Sequence, residues 1–187
     1  MHRRRREGVT DYRSRRKAIS SQGPLLVVRF SNKNVSAQFV QPKVGGDSVL
    51  ASAHSAQLRK LGWKGSLKST PACYLLGMIA GKTALDKGVN EAVLYNGLTP
   101  FIAGARVSAF VKGVVDSGVT VPVGEKGLPS EDRISGKFIA DFATKVAAGD
   151  RAAYEKKFSG LLKAGFKPEQ YPAEFERFRT VIAGAKK

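Results

Sequence analysis

The chain has one cysteine, Cys73, among 187 residues, which excludes an intramolecular disulfide and any cysteine-built metal cage and fits a reducing compartment. Its two histidines, His2 and His54, are too few to supply the ligand set that zinc takes. Acidic residues are scarce, 15 against 32 lysines and arginines, for a formal net charge of +17. No apolar run reaches the roughly 18 residues of a membrane-spanning helix. The N-terminus is basic but lacks the apolar stretch of a secretory signal.

What is present is enough apolar material for a core, 42% hydrophobic residues, under a surface with too few anions. Such an imbalance destabilises a compact state by self-repulsion unless an anionic partner neutralises it. Nucleic acid is the first candidate and an anionic membrane surface the second. The charge is unevenly spread. Between Tyr12 and Leu85 stand 12 basic residues and one acid, Asp47, whereas Glu155, Glu169, Glu174 and Glu176 dilute the basic residues of the second half. The anion-facing surface is therefore expected in the first half.

Residues 1–24 form a basic arm, MHRRRREGVTDYRSRRKAISSQGP. Four consecutive arginines, Arg3 to Arg6, repel one another on any helix, so the free arm is expected to be disordered. A merely solvated tail is the alternative, weakened by Tyr12, Arg13, Arg15, Arg16 and Lys17 interleaved behind the run. Three strand-like segments follow: LLVVRF (25–30), VSAQFV (35–40) and VLASAH (49–54). They are separated by the turn clusters Ser31–Asn34 and Pro42–Asp47, which carry Asn32, Lys33 and Lys43. Alternation in the third strand puts Val49, Ala51 and Ala53 on one face and Leu50, Ser52 and His54 on the other.

Residues 55–68 read as a basic loop or short helix around LGWKG (61–65), with Trp63 flanked by glycine and Lys64. Ser69-Thr70-Pro71 starts a helix to about Lys87, in which Gly77 and Gly81 allow close packing. AVLYNGL (92–98) reads as a short buried strand, and a second helix spans roughly 103–117. Beyond a linker at 124–132 come helices at about 131–148, 151–163 and 171–183. The last carries Tyr171, Phe175, Phe178 and Ile182 as an amphipathic stripe. The expectation is an α/β fold: a mixed sheet made of a three-stranded meander plus a further strand, helices on one face, the other face free for a partner. The chain is expected to divide into a basic arm (1–24), an α/β core (25–123) and a helical C-terminal extension (124–187), the first two facing the anionic partner.

Catalytic signals are weak. Gly77-Met78-Ile79-Ala80-Gly81-Lys82-Thr83 ends like a phosphate-binding loop, but three residues separate its glycines where the motif needs four, and it lies inside a helix. A two-metal nuclease needs converging carboxylates, and the basic half offers only Asp47. Cys73, within the first long helix, reads as a buried small hydrophobe. The nucleic-acid signal remains: Tyr12, Phe30, Phe39, Trp63 and Tyr74 are interspersed with cations, as when unpaired bases stack on aromatics while arginines hold phosphates. Trp63 is the best candidate for such a platform, with core packing as its alternative. His54 is a candidate RNA contact beside an ordinary structural role. An RNA-processing enzyme with an α/β core and a membrane-attached basic protein are the competing function classes.

Nearly the whole chain, about residues 1–183, resembles the archaeal form of the large-subunit ribosomal protein family L18, whose eukaryotic counterpart is L5. The resemblance rests on the order and spacing of RRRREGVTDYRSR (3–15), LLVVRFSNKNVSAQFV (25–40), GDSVLASAHS (46–55), LGWKG (61–65), STPACYLLGMIAGKTAL (69–85), GVNEAVLYNGL (88–98), ARVSAFVKGVVDSGVTVP (105–122) and the final aromatic helix. Asn34 departs from a common histidine, and Tyr95-Asn96 from a common Asp-Ile. The resemblance implies binding of 5S ribosomal RNA in the central protuberance of the cytoplasmic large subunit, contact with 23S ribosomal RNA through the arm, and neighbouring ribosomal proteins as partners. It implies no catalysis, cofactor, membrane or small-molecule substrate. It places Arg3, Arg4, Arg5, Arg6, Tyr12, Arg13, Arg15 and Arg16 in the RNA-binding arm. Arg29, Asn32 and Lys33 fall in the first strand and turn, and Ser52, His54, Trp63 and Lys64 further along; Lys17 and Lys43 complete the candidate set.

Each phosphate neutralised adds about 0.7–0.9 to the slope of log K against log salt. Removing residues 1–17 is therefore expected to lower the salt slope of RNA binding by several units, measured by retardation of labelled 5S RNA across a salt series.

Overall fold

The computed structural model describes residues 3–184; His2, assigned to the arm, lies outside them. The strands are β1 (Leu25–Phe30), β2 (Val35–Gln41), β3 (Ser48–His54) and β4 (Val93–Tyr95), and the helices α1 (Arg3–Arg6), α2 (Tyr12–Ile19), α3 (Ala56–Lys60), α4 (Thr70–Leu85), α5 (Arg106–Asp116), α6 (Glu131–Ser135), α7 (Lys137–Gly149), α8 (Arg151–Lys163) and α9 (Tyr171–Gly184). The sheet order is β3-β2-β1-β4. The first three strands form the antiparallel meander, and β4 runs parallel to β1. A parallel neighbour needs a crossover, and α4 supplies it across one sheet face.

Helix α4 starts where its sequence dictates: Ser69 Oγ accepts the Ala72 N–H at 3.5 Å, and Pro71 occupies the first turn. Its residues from Pro71 to Met78 are all buried, as suits a helix enclosed by the sheet, α5 and α9 rather than one with a wet face. A Cβ on Gly77 would strike the Phe110 carbonyl, and one on Gly113 the Tyr74 carbonyl, so α4 and α5 cross backbone to backbone. Cys73 is fully buried, and desolvation pushes its thiol up to about 12.

The third strand departs from simple alternation. Phe39 pairs with Ala51 but Val40 with Val49, leaving Leu50 as an extra residue. This bulge carries Val49 away from the core face that Ala51 and Ala53 share, and its side chain is 51% exposed.

The arm also differs from the disorder expected of it. Asp11 caps α2, its Oδ1 accepting the N–H groups of Arg13 at 2.9 Å and Ser14 at 3.3 Å. Ala18 is buried with Leu25, Val40 and Tyr95 on the second face of the sheet. Arg15 donates to Asp47 Oδ1 at 2.6 Å, and its guanidinium lies 6.0 Å from the Tyr95 ring centre. The second face is therefore not free across its width, because the chain's own arm covers the β4 side.

At the C-terminal end, the helix expected at 131–148 is two helices broken at Gly136, whose φ is +81° and where a Cβ would meet Pro71 and Tyr171. The stripe Tyr171, Phe175, Phe178 and Ile182 is buried throughout and joins the same core as the sheet and α4. By contrast, α8 buries no residue.

Three outcomes follow from this packing. Gly77→Ala is expected to destabilise by about 1–3 kcal/mol through overpacking, although alanine is the better helix former. Gly160→Ala, at a site in α8 with open space beyond it, should stabilise by roughly 0.5–1 kcal/mol; urea unfolding of both variants checks the opposite signs. Asp47→Asn should cost no more than about 1 kcal/mol of global stability yet speed amide exchange in residues 12–19, read by hydrogen-exchange mass spectrometry.

Candidate nucleic-acid interface

Strand pleating sorts the candidate residues. On β1, Leu26 and Val28 face the helices, while Leu25, Val27 and Arg29 face the other way. Register carries that second face onto Ser36, Gln38 and Val40 of β2, Ser52 and His54 of β3, and Tyr95 of β4. Arg29, Ser52 and His54 thus share one sheet face with the arm, and all three are exposed. A concave surface of about 830 Å³ lies between arm and sheet, lined among others by Arg4, Tyr12, Arg15, Arg29, Gln38 and Tyr95.

Individual groups are held for outward presentation. Arg29 donates through Nη1 to the Asn96 carbonyl at 3.3 Å, lying so close over Gly97 (φ +62°) that a Cβ there would meet its guanidinium. The Ala56 N–H donates to His54 Nδ1 at 3.1 Å, so the neutral ring carries its proton on Nε2 and offers it outward as a donor. Arg4 Nε donates to Thr10 Oγ1 at 2.8 Å, folding α1 back toward α2. Arg5, Arg13, Arg16 and Lys17 line a further concavity of about 510 Å³ along the arm.

The scarce acids explain why this surface stays positive. Met1 to Leu85 contains three, Glu7, Asp11 and Asp47. Asp11 caps α2, Asp47 binds Arg15, and Glu7 lies 3.8 Å from Arg3 in a largely exposed pair of little energetic weight. Among the described residues, no other lysine or arginine of that stretch has a carboxylate within salt-bridge distance. Arg15, expected as an RNA contact, is held by Asp47 and anchors the arm.

One expectation is corrected. Trp63 is 2% exposed, so it offers no face for base stacking. Its indole packs edge-on against Phe178 at 5.3 Å and lies 6.0 Å from Tyr171 and 6.4 Å from Phe166, all supplied by the C-terminal region. Asn32, Lys33 and Lys64 do not join the sheet face; they gather at the β1–β2 turn and the segment after α3, against α8. Lys43 is exposed on the β2–β3 loop. Of the interleaved aromatics, Phe39 and Tyr74 are also core, and Phe30 is half-buried beneath Arg106.

Asn34 has a structural part that its sequence position did not signal. Ser55, fully buried, donates to Asn34 Oδ1 at 3.1 Å and accepts the Val35 N–H at 3.1 Å. The phosphate-loop-like segment is helical throughout, and Lys82 Nζ donates to the Ile182 carbonyl and, at 2.7 Å, to that of Ala183, capping α9. Among the described residues, no group of three or more His, Cys, Asp or Glu is placed to hold a metal ion, and no helix is long and apolar enough to cross a membrane.

Residues 1–96 match a family described as ribosomal large subunit proteins 60S L5 and 50S L18. The chain is 44% identical over 182 residues to large ribosomal subunit protein uL18 of Thermofilum pendens, an alignment covering 97% of this chain and 93% of that one. Identity to uL18 of Methanothermobacter thermautotrophicus is 45% over 180 residues (96% and 92%), and to that of Aeropyrum pernix 41% over 186 residues (99% and 87%). With such agreement along almost the full length, the chain belongs to the uL18/L5 family of structural, non-enzymatic large-subunit ribosomal proteins.

Proposed function

We propose that this ribosomal protein binds 5S ribosomal RNA and attaches it to 23S ribosomal RNA in the central protuberance, beside neighbouring large-subunit proteins. The observation that carries the reading is the engagement of every acid before Asp86 within the arm or between arm and sheet, which leaves the cations of the arm and sheet face for an external polyanion. Arg3 to Arg6, Arg13, Arg16 and Lys17 hold phosphates. Arg29, Ser52 and His54 make local contacts to the RNA on the sheet face, the guanidinium and imidazole in fixed orientations. Arg15 positions the arm. Lys33, Lys43 and Lys64 extend the cationic surface along the loops. The protein acts by neutralising and orienting RNA, with no chemical step.

Labelled 5S RNA with magnesium should be retarded by the full chain without cleavage. The triple change Arg13→Gln, Arg16→Gln and Lys17→Gln should lower the salt slope by about two to three units at 0.7–0.9 per phosphate and leave the unfolding midpoint close to that of the parent. A protein that binds 5S RNA no better than heparin, or that cleaves it, is not this one.

A further inference from the structure

The helical extension forms, with the loops that carry Lys33 and Lys64, a surface separate from the arm and the sheet's second face. A cleft of about 460 Å³ opens between the β1–β2 turn, the segment 64–68 and the exposed side of α8. Lys33, Arg59, Lys64 and Lys68 line the core side and Lys157 the α8 side, and no carboxylate is among the lining residues. Five cations facing one cavity, with no carboxylate in its lining, make it a site of positive potential that suits a multivalent anion.

Two further features say what kind of anion. Phe158, half-buried, lines the same cleft, its ring also packed against Tyr154 at 5.2 Å and Phe142 at 6.2 Å. An aromatic face among cations suits nucleotides better than an isolated phosphate. Gly160 forms part of the wall in the interior of α8. Glycine is a poor residue in a helix, and no atom lies within 4 Å of the Cβ it lacks, so internal packing gives no reason for it. The missing side chain leaves room for a ligand backbone to come close to the α8 wall.

We propose that this cleft is a second RNA-binding site, in which α8 and the core together clamp the sugar-phosphate backbone of one unpaired ribosomal RNA segment with a base against Phe158. The site lies apart from the arm and the sheet's second face, and it rests on the ribosomal-RNA reading above without requiring that the segment come from 5S RNA.

The test uses the full chain, with 5S RNA and with 23S RNA as separate probes. The cleft variant Arg59→Gln, Lys68→Gln and Lys157→Gln is compared with an equal charge loss elsewhere, Lys87→Gln, Lys145→Gln and Lys163→Gln. The cleft variant should lose about two to three units of salt slope on one of the probes, and the control less than one. Gly160→Leu, which keeps the charge and favours the helix, should weaken binding to that same RNA at least tenfold and raise the thermal midpoint. Ultraviolet crosslinking of that RNA should label the peptide containing Phe158. Equal slopes for the two triple variants on both probes, or undiminished binding by Gly160→Leu, would overturn the cleft. Loss of 5S preference with the 23S difference intact would instead overturn the 5S reading alone.

Discussion

The crossing of α4 and α5 at Gly77 and Gly113 is the contact on which the molecule is assembled. With side chains at those positions the helices would stand farther apart, at the 8–10 Å typical of helix pairs or beyond, and α4 could not touch the sheet, α5 and α9 together. Close-packed interiors resist such shifts. The consequence reaches the second face of the sheet, because the pleat that buries Leu26, Val28, Ala37 and Phe39 against α4 also turns Arg29, Ser52 and His54 outward. One set of apolar contacts fixes both faces.

Charge is organised as strictly as packing. A basic chain would be expected to distribute its few acids as local partners for exposed cations. Here Asp11 and Asp47 instead secure the arm's own geometry, one at a helix start and one across 32 residues of sequence. The arm reaches the solvent-facing side of the sheet already helical, with Arg13, Arg16 and Lys17 exposed along it. Ordering before binding reduces the entropy that an unstructured arm would lose on meeting RNA.

Much of the fold was legible in the sequence because its signals are local. The turn clusters at Ser31–Asn34 and Pro42–Asp47 delimit the meander, Ser69 and Pro71 mark the start of α4, and the spacing of Tyr171, Phe175, Phe178 and Ile182 marks α9. What was not legible depends on distant partners. The role of Trp63 is decided by rings more than a hundred residues away, and flanking glycine and lysine gave no hint of them. The face of Val49 depends on a register shift set by pairing with Val40. The arm's helix had a readable signal, an aspartate before Tyr12, but the arginine run obscured it. For the candidate surface, charge distribution pointed to the half of the chain that carries the arm and the exposed Arg29, Ser52 and His54. It could not separate the sheet face of Arg29, Ser52 and His54 from the turn side of Asn32, Lys33 and Lys64, since strand parity and loop direction are three-dimensional facts.

The enclosure of Trp63 by Phe166, Tyr171 and Phe178, together with the bond from the Ser66 N–H to the Tyr171 hydroxyl at 3.0 Å, bears on how the chain matures. Synthesis proceeds from the N-terminus, so the strands, the arm and α4 leave the exit tunnel well before the aromatic residues that close over the indole. Until α9 emerges, a nascent chain exposes that apolar floor, and the indole is enclosed only once these aromatic residues have been made.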